Sequence, residues 1–326
     1  MESRKIIAFG SSSFVISLPK AWINQNKLKK GDVVQLDDKK TELLVYPTRI
    51  QKDEEPKHTV ILTDDKDLDY IRTKIVSSYL NGYGVIDIKG SRLEQDAAHI
   101  KTILRNLTGL EIIHQSSDKI TAKDLLNIGE INVGTLIRRM DNIVRSMVID
   151  AIDSLNKDHY TSIVERDMDL NRLAFLAFRV IKAALSDNAL AKKLNLSNSD
   201  LLQDWLVVSR LEKIGDQQKR IARHLRNVSI HKKPKEELHK ILTLIQNDYT
   251  DVMTAYYKKD LEASYLIDNT NSARMLTCKN YLETIRGNEL VEVARTIDHV
   301  KSMRTDIKTI ARAVMDGETT STSHPI

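Results

Sequence analysis

Short alternating apolar runs open the chain, and long stretches without glycine or proline close it. Residues 5–9 (KIIAF) and 14–18 (FVISL) read as strands on either side of a turn at Gly10, Ser11, Ser12 and Ser13. A short helix at 21–25 follows Pro19, whose missing amide costs little in a first turn. VVQL and ELLVY give two more strands, and QKDEEPK (51–57) reads as a polar linker. From 58 to 126 the pattern changes to strand 58–63, amphipathic helix 68–80, strand 85–89, helix 93–107 and a hairpin of 110–114 with 119–123. That βαβαββ order predicts a small α/β domain of ferredoxin-like type. From 128 to 316 the 3.6-residue period takes over. Breaks near 158, 190–199, 231–234, 259 and 287 leave six helices, most of 25 to 30 residues, or roughly 40 Å each. Short breaks make neighbours antiparallel, and two sets of three predict tandem three-helix bundles at 128–230 and 234–316. The last ten residues, 317–326, have no apolar pattern and read as a disordered tail.

Fifty residues of short strands bury little core alone and leave unpaired edges. Both problems vanish if two copies share strands, so residues 1–50 are expected to form an obligate homodimer. The fold class expected is therefore α+β multidomain: a strand-sharing head, a small α/β middle and an all-α body.

Composition narrows the function. The chain has 326 residues, 41% hydrophobic and 29% charged, so it is of ordinary globular type. No run approaches 18 apolar residues and the start lacks an apolar signal core, so no membrane insertion is expected. Cys278 is the one cysteine, which removes internal disulfides and cysteine-based zinc sites and suits a cytoplasmic setting. The net charge of +5 is uneven. Residues 1–50 carry nine basic against five acidic residues, +4, leaving +1 for the rest. A basic head on a near-neutral body suits a polyanionic partner such as DNA. No nucleophile–base set, glycine-rich phosphate loop or Cys/His cluster points to an enzyme.

One constellation could hold a cation. In residues 207–225, Glu212 and Asp216 are four apart and face the same way, one turn apart, with Gly215 between them. Glycine in mid-helix costs about 1 kcal/mol relative to alanine, and admits a close neighbour. On the preceding helix Asp167 and Asn171 repeat the spacing, with Asp169 nearby. Two antiparallel helices with paired oxygens build cation sites in helical bundles. Oxygen-only ligation suits Mg²⁺, Ca²⁺ or Mn²⁺, with iron also compatible, better than closed zinc. From spacing alone, solvated helix-surface pairs such as Asp216 with Arg220 are the favoured reading.

Two resemblances add to this reading. GSSSFVISLPKAWINQNKLKKGDVVQL, with Leu18-Pro19-Lys20, Trp22, Leu28 and Lys30-Gly31-Asp32, resembles the AbrB/SpoVT/MazE swapped-hairpin DNA-binding domain. That resemblance implies two hairpins interleaved in one dimeric barrel. It implies DNA contacts near the first loop, matched here by Arg4, Lys5, Ser11, Ser12, Ser13 and Lys20. The run Leu211-Glu212-Lys213-Ile214-Gly215-Asp216 resembles the E-R-I-G-D motif of PhoU-type phosphate regulators. It implies tandem three-helix bundles whose carboxylates bind iron or zinc clusters. Here Asn171 replaces an acid, and Ser302 with Asp306 stands for the second bundle's pair. The full order resembles archaeal PhoU-type regulators. The expected function is a DNA-binding regulator of phosphate uptake. The alternatives are a non-DNA adaptor that contacts a phosphate transporter or signalling kinase, and an antitoxin, against which the long structured body argues.

Overall fold

The structure, a computed structural model, describes residues 3–38, 41–47, 57–226, 230–287 and 289–318. It divides into two compact units, Met1–Glu55 and Pro56–Ile326.

In the first unit, β1 (Ile7–Phe9) pairs antiparallel with β2 (Ser13–Val15). Gly10 takes φ 74° to make the turn, a conformation open to glycine at no steric cost. Leu18, before a proline, is biased to extended backbone, and Pro19 is itself extended at the start of α1 (Lys20–Gln25). A strand-like run can thus become a helix within two residues. The helix closes where Lys27 turns to φ 51° and the Leu28 amide bonds the Ile23 carbonyl at 3.0 Å. β3 (Val34–Asp38) pairs antiparallel with β4 (Leu43–Pro47). The two hairpins are separate two-stranded sheets, so one chain does not close a barrel. Their apolar side chains are bare: Ile7, Phe9, Phe14, Val15, Leu36 and Leu43 are all exposed, Phe14 at 74%.

The second unit begins with β5 (His58–Leu62), α2 (Leu68–Leu80), β6 (Val85–Lys89), α3 (Leu93–Arg105), β7 (Leu110–Gln115) and β8 (Lys119–Asp124). This is the βαβαββ order expected. The sheet, ordered β5-β6-β8-β7, is not ferredoxin-like. A ferredoxin-like domain runs βαββαβ, whereas here the α2 crossover makes β5 and β6 parallel neighbours and the final hairpin inserts β8 beside β6. Ile86, Ile88, Ile120 and Ala122 face Ile71, Ile75 and Tyr79 of α2 and Ile100 and Leu104 of α3 in one core. Asp87, on the opposite face of the sheet, is buried. It accepts from Thr121 Oγ1 at 2.7 Å and pairs with Lys119 Nζ at 3.0 Å and His58 Nε2 at 3.1 Å. Burial pushes its carboxyl up, but those three partners outweigh burial and hold it below the usual range.

The helical body comprises α4 (Val133–Asp153), α5 (Tyr160–Ser186), α6 (Asn188–Lys193), α7 (Asn198–Leu225), α8 (Lys232–Lys258), α9 (Leu261–Asn269), α10 (Asn271–Thr284) and α11 (Leu290–Glu318). The six expected helices stand in their places, with two differences. The 190–199 connection contains α6, and the fifth helix is broken at Thr270. The break has a cause. Nη2 of Arg304, 1% exposed, donates to the Ile267 carbonyl and to Thr270 Oγ1, the latter at 2.9 Å. A buried cation thus supplies the donor that the interrupted turn leaves missing.

On α7, Leu201, Val208, Leu211, Ile221 and Leu225 are buried as the apolar stripe requires. Trp205 stays partly exposed and meets Phe178 in a tilted pair, 4.5 Å between ring centroids and 49° between planes. Val228, the linker residues 51–56 and tail residues 319–326 lie outside the described residues, and α11 carries the helix through Gly317. α4, α5 and α7 form one bundle, and α8, α9–α10 and α11 the other, but a single apolar core runs through both.

The α/β domain is fastened to this body by one face of α5. Phe175 packs on the α/β core. Arg179 pairs with Asp124 and lies 4.4 Å from the Tyr79 ring centroid. Lys182 Nζ donates to Asn81 Oδ1 at 2.7 Å. Positions 175, 179 and 182 are four and three apart, which puts them on one helix face.

Candidate functional site

The expected DNA-contacting residues are all exposed. Ser11 and Ser12 occupy the β1–β2 turn and Ser13 opens β2, so these three come together. Arg4 and Lys5 precede β1, at the other end of the ribbon, and Lys20 is the first residue of α1. The cations therefore do not sit in the turn with the serines. Arg4 and Lys5 are separated from it by the length of β1, about 10 Å, and Lys20 lies beyond β2.

The acidic constellation of the first bundle is assembled as the spacing predicts, with one addition. Asp167, on α5, is buried and accepts from Asn171 Nδ2 at 3.4 Å. Glu212 and Asp216 face it from α7. Gly215 lets the helices approach: a Cβ there would run into Leu170 Cδ2, from α5. Asp169 is not part of the group; it is exposed, 4.0 Å from Arg172.

The addition is Lys219. Its ammonium stands 2.6 Å from Asp167 Oδ2 and 2.9 Å from Asp216 Oδ1. Asp216 Oδ2 is taken by Arg220, at 2.8 Å from Nη2. Burial drives the Lys219 pKa down, but its two carboxylates outweigh that and hold it above the usual lysine value. For Asp216 burial acts upward, yet Lys219 and Arg220 lower it on balance. Glu212 has no such partner: burial, then the charges of Asp216 and Asp167, raise it. The space between the two helices is thus already neutralised by an internal cation. Among the described residues no group of three or more His, Cys, Asp and Glu is arranged to hold a metal. As a donor set for a resident ion this one does not fit, because an ion here must first displace Lys219. Lys219 follows Asp216 by three residues, a spacing that in sequence reads as an ordinary helix-surface pair.

In the second bundle Asp306 is buried and pairs with Arg210 of α7 at 3.0 Å. Burial raises its pKa despite that arginine.

Two results follow from this geometry. Lys219→Ala strands a buried carboxylate beside two others and should destabilise the chain by about 3 kcal/mol at pH 7, read by urea denaturation. Divalent ions should then raise the melting temperature of Lys219→Ala more than that of the parent, because they no longer compete with an ammonium. The second result concerns Glu212. A raised carboxyl pKa means the folded state holds the proton more tightly than the unfolded one. Stability from this group is therefore present below its ordinary value of 4.5 and lost as pH rises through the raised one. Glu212→Gln should raise the melting temperature at pH 7, and the gain should vanish below pH 4.5.

Comparisons with known proteins find family matches in two separate parts of the chain. The PhoU domain family matches residues 137–225, and the family described as antidote-toxin recognition MazE, bacterial antitoxin, matches residues 7–53. The crystal structure of PhoU from Pseudomonas aeruginosa is similar at a TM-score of 0.52 and 16% identity, over 58% of this chain and 96% of that one. At that identity the likeness speaks for the fold of the helical body. No curated protein matches. No helix among the described residues is long and apolar enough to cross a membrane.

Proposed function

We propose that this chain, which joins a MazE-type domain to a PhoU domain, is a dimeric DNA-binding regulator of phosphate uptake. The head grips DNA, and the helical body senses phosphate status or docks a phosphate transporter or signalling protein. One observation supports this most. Both head hairpins leave large apolar side chains bare, Ile7, Phe9, Phe14 and Val15 on one and Leu36 and Leu43 on the other, while Arg4, Lys5 and Lys20 are exposed in the same unit. Apolar faces of that kind need a second copy to cover them, and the cations are then left for the nucleic acid.

Titrating binding to random duplex DNA with salt tests the reading. Affinity should fall with log salt at a slope of about −0.9 per phosphate contact. Arg4→Glu with Lys5→Glu should weaken binding at least tenfold on every sequence at matched salt. An unchanged affinity would place the interface elsewhere. The adaptor reading, in which the head only dimerises, is favoured by one feature: the turn of Gly10, Ser11 and Ser12 carries no cation. It expects no salt-dependent DNA binding by the parent at all.

A further inference from the structure

The two rims of the middle sheet are finished differently. β7 is irregular between Ile112 and His114, and a bulge at a rim spoils it as a template for another strand. β5 has neither bulge nor proline, and pairs with β6 in unbroken register from His58 to Leu62. The Lys57 carbonyl accepts from the Val85 amide and the Thr63 amide donates to the Lys89 carbonyl. In a parallel ladder alternate residues bond to one side, so Thr59 and Ile61 also face β6. The amides and carbonyls of His58, Val60 and Leu62 point outward, where no strand stands among the described residues.

Beside this rim is a cavity of about 470 Å³. One wall is β5 itself, and the other is formed by Lys66, Tyr70, Lys74 and Ser77 at the start of and along α2. Val60, Leu62 and Tyr70 offer exposed apolar surface, at 46%, 63% and 40%. The ammonium groups of Lys66 and Lys74 lie 5.3 and 5.5 Å from the Tyr70 ring centroid. Neither has a carboxylate partner among the described residues, and no acidic side chain lines the cavity.

We propose that this groove binds an extended acidic segment of a partner protein, which joins the sheet as a fifth strand beside β5. A strand rim facing a helix supplies main-chain hydrogen bonds on one side and side-chain recognition on the other. The outward groups of His58, Val60 and Leu62 hold the backbone, and Lys66 and Lys74 select carboxylates. Charge argues for a partner over two other occupants. A second copy of the same rim brings further lysines and no acids. Residues 319–326 of this chain contain no acidic side chain.

The test is fluorescence anisotropy of an end-blocked eight-residue peptide of alternating glutamate and valine on the full chain. The peptide should bind, and its lysine counterpart should bind at least tenfold more weakly. N-methylation of alternate peptide amides, which leaves the protein untouched, should cost at least tenfold. Val60→Pro should do the same, because the Val60 amide faces away from β6 and proline is tolerated on a rim. Lys66→Glu with Lys74→Glu should also lose binding. Equal affinity for the N-methylated peptide, or for Val60→Pro, overturns strand addition and leaves a charge-selective surface. Sedimentation showing that Val60→Pro lowers the oligomeric state would make a second copy the occupant and overturn the proposal. Absence of peptide binding would make the two lysines guards of an open rim.

Discussion

Arg179→Ala should cost about 3–5 kcal/mol, the range for breaking a buried pair by removing one partner. Arg179 is 1% exposed, and its removal leaves Asp124 facing a vacated space between the α/β domain and α5. The loss also strips the cation from the buried Tyr79 ring. Tyr79 donates to the Thr108 carbonyl at 2.9 Å, and burial pushes its hydroxyl pKa up to about 12, so it remains a neutral donor. Urea melts of Arg179→Ala should fall to a lower midpoint. Adding Asp124→Leu should restore part of the loss, because paired removal leaves no charge behind. Full stability in the single variant would show that Phe175 and Lys182 fasten the α/β domain without it.

The second large effect is on association. Phe14→Lys with Leu36→Lys should turn a dimer into a monomer at micromolar concentration. Both side chains are exposed in one chain, at 74% and 62%. Burying a phenylalanine or leucine is worth about 1.5–3 kcal/mol, and each is counted twice in a two-fold pair. Sedimentation of the full chain measures the outcome. A parent that sediments as a monomer would remove the dimer from the proposal, and a variant that stays dimeric would move the interface away from the hairpins.

Much of the architecture was legible because it rests on local rules. Residues 68–80 and 85–89 formed the helix and strand their patterns gave, to the residue. The sheet order was not legible, since the βαβαββ sequence is silent on whether β8 lies between β6 and β7 or outside them. The break at Thr270 was hidden for a similar reason. Its cause, Arg304, lies 34 residues away on another helix. At the acidic constellation, spacing brought Asp167, Glu212 and Asp216 together correctly. It gave no hint that the Lys219 ammonium would point inward between two of them, because a lysine one turn beyond an acid reads as a solvated surface pair.

Five buried aspartates tie the helices in a particular circuit. Asp141 of α4 accepts from Tyr249 and Tyr257 of α8, at 2.7 and 3.0 Å. Asp167 of α5 meets Lys219 of α7, and Asp204 of α7 accepts from Tyr256 of α8 at 2.6 Å. Asp248 of α8 takes both Arg274 of α10 and Arg304 of α11, and Asp306 of α11 takes Arg210 of α7. Helices of similar length and apolar content could exchange places between two bundles and still cover their leucines and isoleucines. They could not do so without shutting carboxylates away from water and from the tyrosines, lysine and arginines of other helices that meet them here, at several kilocalories per mole for each stranded charge. The aspartates would thus act as a wiring key, adding little to the strength of the correct assembly while penalising each swapped one.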